Sequence, residues 1–165
     1  RRVALELGAD YALAPDAHFV EAVRELTEGR MIQANVEVTG SSAALLQSLQ
    51  VAARGGRIAL AGCTRVSDVP IDFYTLVHKP GVQLIGAHNH VRPAADSYWG
   101  YWTRHDDFAA MLRMMRMGKM RVRPMISGVF APEQAPEVFR ELGENACAPL
   151  GRAFDWHKSD GRETI

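Results

Sequence analysis

The sequence lacks the features of membrane-spanning, secreted and nucleic-acid-binding proteins. Its apolar runs are far shorter than the roughly 20 residues that a helix needs to cross a bilayer. Its 19 Lys and Arg residues balance its 19 Asp and Glu residues, so no broad positive field favours nucleic acid or an anionic membrane. The opening RRVALELG contains no small-residue cleavage site. We therefore expect a soluble cytoplasmic protein with no nucleic-acid or membrane partner.

Cysteine is scarce, which argues against the common metal and redox motifs. The two cysteines, Cys63 and Cys147, lie too far apart to form a C-x-x-C pair. In the cytosol such thiols stay reduced, and we expect both to be buried or half-buried. A reactive role for Cys63 is open, but its place after an apolar strand favours an inert thiol.

The first residues lack a helix start. Val3, Ala4 and Leu7 share one helix face and Gly8 can end that helix, but no Ser, Thr, Asp or Asn precedes them. A helix this short is not stable alone. We therefore expect that the sequence begins inside an element of a longer parent.

What the sequence does contain is organised around residues 32–62. Its patterns follow in the order strand, helix, strand, at 32–38, 45–53 and 58–61. This spacing predicts a right-handed βαβ unit with parallel strands. Parallel sheets bind ligands beyond the carboxyl ends of their strands, which here are Thr39-Gly40 and Gly62-Cys63.

Further elements are predicted on both sides of this unit. They are a strand at 11–14, a helix at 19–26, a short helix at 72–77, a strand at 82–86, a helix at 106–118, a strand at 125–130, a helix at 132–142 and a strand at 150–156. Strand and helix stop alternating near residue 120, which predicts domains at 1–120 and 121–165. The apolar positions expected to face inward in the later helices are Phe108, Met111, Leu112, Met114, Met115, Met117, Val138 and Phe139.

Four stretches, in order and at matching intervals, resemble one family. They are LGAD at 7–10, VEVTGSSAALLQSLQVAARGGRIALAG at 36–62, VQLIGAHN at 82–89 and LGRAFDW at 150–156. Together they resemble the C-terminal, nucleotide-binding half of zinc-dependent medium-chain alcohol dehydrogenases, and within that group the threonine and polyol dehydrogenases. The resemblance implies an α/β fold, with an incomplete Rossmann-like parallel sheet and flanking helices, lacking the first β-α-β unit.

The resemblance also implies parts that this sequence does not contain. Members of the family have an N-terminal zinc-holding domain, a G-x-G-x-x-G phosphate loop and a residue that selects NAD or NADP, and none of these occurs here. Gly55-Gly56 is expected to be a helix-to-strand turn and not that loop. We expect NAD or NADP as the cofactor of the parent, zinc only in its missing N-terminal domain, and no activity for this part alone.

By resemblance, the cofactor contacts fall at the tips of three strands, where backbone groups hold the ribose or the nicotinamide carboxamide. The matching residues are Val38, Thr39 and Gly40, then Ala61, Gly62 and Cys63, then Leu84, Ile85 and Gly86. Arg152 falls where the family often has a basic residue near the pyrophosphate. Its guanidinium suits phosphate, but a surface salt bridge explains this arginine equally well.

Histidines raise the question of a metal site within this sequence. His88 and His90 alternate after a strand, and His105 follows further on. Two imidazoles on one face can bind a metal ion. No Cys, Asp or Glu stands at the customary short spacing, so solvent-facing or hydrogen-bonded histidines are the favoured interpretation, and no residue here is named as a ligand.

Two further groups in and after the loop at 87–104 have two interpretations each. Asp106-Asp107 resembles a pair of catalytic carboxylates, but its place before a helical run favours N-capping. Trp99, Tyr101 and Trp102 suit either the roof of a substrate cleft or a contact with a partner subunit.

Three hypotheses for function remain open. The parent transfers a hydride between an alcohol or polyol and the cofactor, and this part holds the nicotinamide. Alternatively, the chain is a non-catalytic dimerisation or nucleotide-binding module, with a homo-oligomer formed through the apolar strand at 82–86. The third is a truncated product, for which unpaired backbone groups predict strand exchange, a rearranged sheet order or an unseen first half.

Overall fold

The computed structural model describes residues 1–63, 66, 68–144 and 149–159. They form two compact units, a larger one over residues 13–108 and a smaller one made of residues 1–12 and the chain from 109 onward. The helices are α1 (Arg2–Glu6), α2 (Phe19–Leu26), α3 (Ser42–Gln50), α4 (Arg104–Arg116) and α5 (Ala135–Glu144). The strands are β1 (Ile32–Glu37), β2 (Ala52–Leu60), β3 (Gln83–Gly86), β4 (Gly128–Phe130) and β5 (Arg152–Phe154). The predicted domains at 1–120 and 121–165 stay a prediction about the parent.

The larger unit contains a three-stranded parallel sheet in the order β1-β2-β3. Glu37 lies opposite Leu60, and Leu60 lies opposite Gly86, so the carboxyl ends of all three strands meet at one edge. This confirms the predicted fold class, a Rossmann-like parallel sheet with flanking helices. The strands follow chain order, so the sheet is not rearranged, and strand exchange stays a prediction.

Ile58 is the centre of the core of the larger unit. Its side chain is fully buried in the central strand β2 and packs against Leu49 of α3 and Val82, which precedes β3. Leu84 and a single turn of π-helix at Tyr74–His78 add partly buried apolar contacts around this cluster. The core therefore holds α3 and all three strands behind the carboxyl edge of the sheet.

The glycine pair at 55–56 lies within a strand. α3 ends at Gln50, so Ala52 and Ala53, predicted to be helical, belong to β2. The pairing shifts between Ile32 and Ala34, which is a bulge in the sheet. A Cβ on Gly56 would lie 2.9 Å from the carbonyl oxygen of Ala53, so close backbone approach requires glycine. The predicted helix-to-strand turn at these two glycines is therefore wrong.

The smaller unit is built on a second, two-stranded parallel sheet, in which Gly128 pairs with Arg152 and Phe130 with Phe154. Val138 of α5 is the buried apolar residue of this unit among the described positions. β4 and β5 are shorter than the strands predicted at 125–130 and 150–156. A single turn of 3₁₀-helix at Pro132–Gln134 leads into α5.

Several predictions of burial and structure are wrong. Residues 11–14 form no strand. No described residue of α4 is buried, and the side chains predicted to face inward that are instead exposed are Phe108, Leu112, Met114, Met117 and, in α5, Phe139. Helical periodicity identifies an apolar face but not a surface that covers it. Cys63 is exposed because it lies in the turn at the sheet edge, and Cys147 lies outside the described residues.

Among the described residues, no helix has the length and apolar character that crossing a bilayer requires.

Candidate functional site

The turns that follow β1 and β2 touch each other at the carboxyl edge of the sheet. A Cβ on Gly62 would collide with the backbone nitrogen of Gly40, and a Cβ on Gly40 would lie 2.8 Å from the nitrogen of Cys63. Gly40 also has a φ of +71°, which other residues rarely adopt. Only glycine fits at both positions, so the two strand tips form one compact surface.

Glu37 connects these two turns, and its carboxylate is buried, with 4% of the residue exposed. Its Oε1 accepts hydrogen bonds from the backbone N–H of Thr39 at 2.6 Å, the Thr39 hydroxyl at 2.5 Å and the N–H of Gly40 at 3.1 Å. Its backbone carbonyl accepts hydrogen bonds from the N–H groups of Ala61 at 2.9 Å and Gly62 at 2.8 Å. One residue therefore holds both turns in place.

These hydrogen bonds keep Glu37 ionised in the folded protein. Burial by itself would raise the pKa of this carboxyl, because the charged form loses solvent. The hydrogen bonds from the side chain and backbone of Thr39 and from the backbone of Gly40 outweigh burial and lower the pKa below its ordinary value of 4.5. A buried anion surrounded by N–H and O–H donors stiffens the site.

Sequence reasoning missed Glu37, which lies near the end of the predicted strand at 32–38. The available signal was an acidic residue at the end of a buried strand, two residues before a Thr-Gly turn. Because the side chain of a carboxylate in such a position is buried, it must find hydrogen-bond donors nearby. The first donors along the chain are the N–H groups of that turn.

The structure brings most of the predicted cofactor residues together at this edge. Residues 38–40 and 61–63 form the two touching turns, and Gly86 ends the next strand in register with Leu60. Leu84 does not reach the edge, because it pairs with Ile58 further back in the sheet and packs on the core. Ile85 follows it, paired with Ala59.

The carboxyl edge is accessible at the tips of β1 and β3. Val38 is 68% exposed and offers an apolar side chain next to the glycine turns. No heavy atom lies within 4 Å of a Cβ built on Gly86, so that strand tip is open. Small residues, accessible backbone and one apolar contact suit a flat ring with a carboxamide. The cofactor roles of these residues stay predictions.

Arg152 has protein partners in the smaller unit. Its guanidinium donates a hydrogen bond to Glu141 Oε1 at 2.7 Å, and its central carbon lies 5.0 Å from the centre of the Phe130 ring. Its side chain is mostly buried. These contacts are the salt bridge that was the alternative interpretation, and the phosphate role stays a prediction.

The other singled-out residues of the loop have structural partners. His88 Nδ1 accepts a hydrogen bond from the N–H of His90 at 3.2 Å. Within the described ranges, no three His, Cys, Asp or Glu side chains cluster as metal ligands would. Tyr98 and Tyr101 close a two-residue hairpin that leaves Trp99 fully exposed, and the structure shows no surface covering it.

Asp106 and Asp107 bind separate partners. Asp106 accepts hydrogen bonds from the hydroxyls of Ser97 and Thr103, which lower its pKa. Asp107 pairs with Arg92 Nε at 3.0 Å. Because α4 begins at Arg104, both acids lie in its first turn and Thr103 takes the predicted capping role, accepting the N–H of Asp106 at 3.2 Å.

A parallel α/β sheet whose glycine turns converge at the carboxyl edge defines a nucleotide-binding class of domain. The sequence model of one family, described as zinc-binding dehydrogenase, matches residues 1–116. The chain therefore belongs to the zinc-binding dehydrogenase family.

The chain is similar to curated and solved members of this class. It is 28% identical over 145 residues to the L-threonine 3-dehydrogenase of Pyrococcus furiosus, covering 85% of this chain and 38% of that protein. It is similar to a crystal structure of an NAD-dependent alcohol dehydrogenase, with 26% identity and a TM-score of 0.66 over 87% of this chain and 37% of the other. A cobalt- and zinc-bound alcohol dehydrogenase from Pyrobaculum aerophilum shares the fold at 21% identity and a TM-score of 0.64, covering 93% and 38%. The chain spans well under half the length of these proteins.

Proposed function

We propose that this chain is the nicotinamide-holding part of an NAD- or NADP-dependent dehydrogenase of the zinc type, acting on an alcohol or polyol in the cytoplasm. The observation that carries the proposal is the pair of glycine turns held together by Glu37 at the carboxyl edge of a parallel sheet. The names of the relatives, an L-threonine 3-dehydrogenase and an NAD-dependent alcohol dehydrogenase, support the reaction class.

The role of this chain is to bind and orient. The turn residues at 38–40 and 61–63, with Gly86, offer backbone groups and an apolar surface that would fix the carboxamide and one face of the ring. Glu37 holds those turns without facing the ligand itself. When bound, the nicotinamide supplies hydride transfer, and zinc, expected in the missing N-terminal domain, supplies a Lewis acid for the alcohol oxygen.

Cofactor binding tests the proposal directly. Amide chemical shifts of the chain are followed by NMR while NAD, NADP or nicotinamide mononucleotide is added. We expect shifts at residues 38–40, 61–63 and 86. Gly62→Ala should abolish them, because its Cβ would collide with the backbone of Gly40. Gly143→Ala is the matched control, since a Cβ there meets nothing within 4 Å. Shifts that are absent, or unchanged in Gly62→Ala, would refute the proposal.

Dehydrogenase activity is expected only of the longer parent protein. With its upstream domain the protein should form NADH or NADPH from an alcohol or polyol, and this chain alone should not. Failure of the parent to oxidise any alcohol, amino alcohols included, would count against the proposed reaction even if the cofactor binds.

The second candidate function is a dimerisation module. β3 is an edge of the sheet, and Ile85 on it is 44% exposed. An unpaired apolar edge favours pairing with a second copy of the same strand. Sedimentation should then show a dimer that Ile85→Lys dissociates, whereas a wild-type monomer at every concentration would remove this idea.

A further inference from the structure

A cleft of about 800 Å³ opens within the larger unit, between residues 89–95 and the start of α4. Its titratable lining residues are His90, Arg92, Arg104 and His105, and no acidic residue lines it. Asn89 and Thr103 add polar groups. Several basic groups around one cavity of this size form a site for an anion.

The nearby acids leave Arg104 without an ion pair among the described residues, whereas Asp107 offsets the charge of Arg92. Asp106 is engaged by the hydroxyls of Ser97 and Thr103, on the side of the hairpin. Asp107 pairs with Nε of Arg92 at 3.0 Å and holds that side chain in a fixed position at the cleft. The first turn of α4 also contributes backbone N–H groups and the positive end of a 13-residue helix.

The lining of the cleft includes a buried threonine held by a hydrogen bond, and apolar residues. Thr103 is 7% exposed, and its N–H donates to Ser97 Oγ at 2.8 Å, which ties the end of the loop to α4. Pro93 and Phe108 are apolar lining residues. Basic groups beside apolar ones suit a small organic anion better than an inorganic one.

Chain connectivity places this cleft beside the carboxyl edge of the sheet. Only Ala87 and His88 separate Gly86 from Asn89, so those two Cα atoms lie within about 11 Å of each other. Ala87 donates its N–H to the carbonyl of Leu60 at 3.1 Å, so the first part of the connection continues the sheet pairing. The start of the cleft therefore lies close along the chain to the tip of β3.

We propose that this cleft binds the anionic group, a carboxylate or a phosphate, of the alcohol that the parent oxidises. The inference rests on the proposed function and narrows its substrate class to hydroxy acids or phosphorylated polyols. Arg104 is the group that holds the anion, Arg92 borders it with its charge offset by Asp107, and the apolar residues face the carbon chain.

Three compounds that share one carbon skeleton test the inference on the 165-residue chain. Glycerate carries a carboxylate, glycerol 3-phosphate a phosphate, and glycerol no charge. Amide shifts at residues 89–95 and 103–108 are followed during titration with each compound, at constant ionic strength. We expect saturable shifts with one or both anions and none with glycerol, and the stronger anion identifies the group recognised.

Substitutions separate this site from general charge effects. Arg104→Gln should weaken binding of the anion about tenfold, because a charge-assisted hydrogen bond is lost. Arg54→Gln, which removes an exposed arginine elsewhere in the larger unit, should leave it unchanged. Equal shifts with glycerol, or equal losses in both variants, would overturn the inference. Cofactor binding is followed at residues 38–40 and 61–63 in the same spectra. The absence of anion binding at the cleft can therefore be distinguished from the absence of cofactor binding at the strand tips.

Discussion

The two parallel sheets of this chain differ in how well they are buried. Of the seven buried apolar residues in the described part of the chain, six lie in the larger unit and only Val138 lies in the smaller one. The reason is that β2 has a strand on each side, whereas β4 and β5 each have one. A central strand is paired along both edges and packed by a helix on one face, so an apolar side chain on that face, such as Ile58, loses contact with water. The difference places most of the stability in the larger unit, behind the candidate site.

Removing the centre of the larger core should have the largest effect. Ile58→Ala should lower the free energy of unfolding by about 2–5 kcal/mol, since it leaves a cavity under a fully buried side chain. Urea denaturation followed by circular dichroism measures this loss. Ile85→Ala, at a half-exposed position on β3, is the control and should change it by less than about 1 kcal/mol. Similar losses in both variants would show that burial at Ile58 does not dominate the stability of the larger unit.

Substitution of Glu37 should have the second-largest effect on the free energy of unfolding. Glu37→Ala should lower the free energy of unfolding by about 1–3 kcal/mol, because the partly buried donors at Thr39 and Gly40 lose their acceptor. Hydrogen exchange at those two amides should accelerate more than exchange in β2. Unchanged protection of both amides would show that the turns do not depend on this carboxylate.

The same residue predicts a dependence on pH. The pKa of Glu37 is lowered in the folded state, so its contribution to stability is complete above the ordinary value of 4.5 and is lost as the pH falls below it. Denaturation at a series of pH values should show wild type losing stability over that range. Glu37→Gln should show a shallower loss, and parallel curves would contradict the assigned hydrogen bonds.

Val138→Ala should have a smaller effect, confined to the smaller unit. Two buried methyl groups are lost, which corresponds to about 1–2 kcal/mol. Hydrogen exchange should accelerate in α5 and β4 while β2 keeps its protection. Acceleration of β2 to the same degree would show that the two units unfold together.

The smallest change is expected for Glu141→Gln. Its ion pair with Arg152 is partly exposed, so the loss should be about 0.5–1 kcal/mol and should shrink further in high salt. Thermal denaturation at two salt concentrations measures it. Glu144→Gln, which removes a more exposed pairing to Arg140, is the control. A larger loss would show that the mostly buried Arg152 depends on this partner more than the partly exposed Glu141 suggests.

Much of the fold was predictable because it depends on neighbours in the chain. Apolar runs ending in Thr-Gly and Gly-Cys, separated by a helical pattern, identified β1, α3 and β2 and the edge where they end. The end of α3 was misplaced because Ala52 and Ala53 suit a helix as well as a strand, and only the bulge against Ile32 decided between them. The predicted burial of α4 failed because its apolar face has no covering surface among the described residues.

Short stretches of adjacent residues specify the order β1, α3, β2, the glycine turns at the strand tips and the membership of a dehydrogenase family. Packing between separate parts of the chain specifies that Glu37 holds both turns, that Arg152 pairs with Glu141, and that four basic side chains line one cleft. Those contacts join residues that are brought together by folding, and the burial and partners of a charged group depend on everything packed around it.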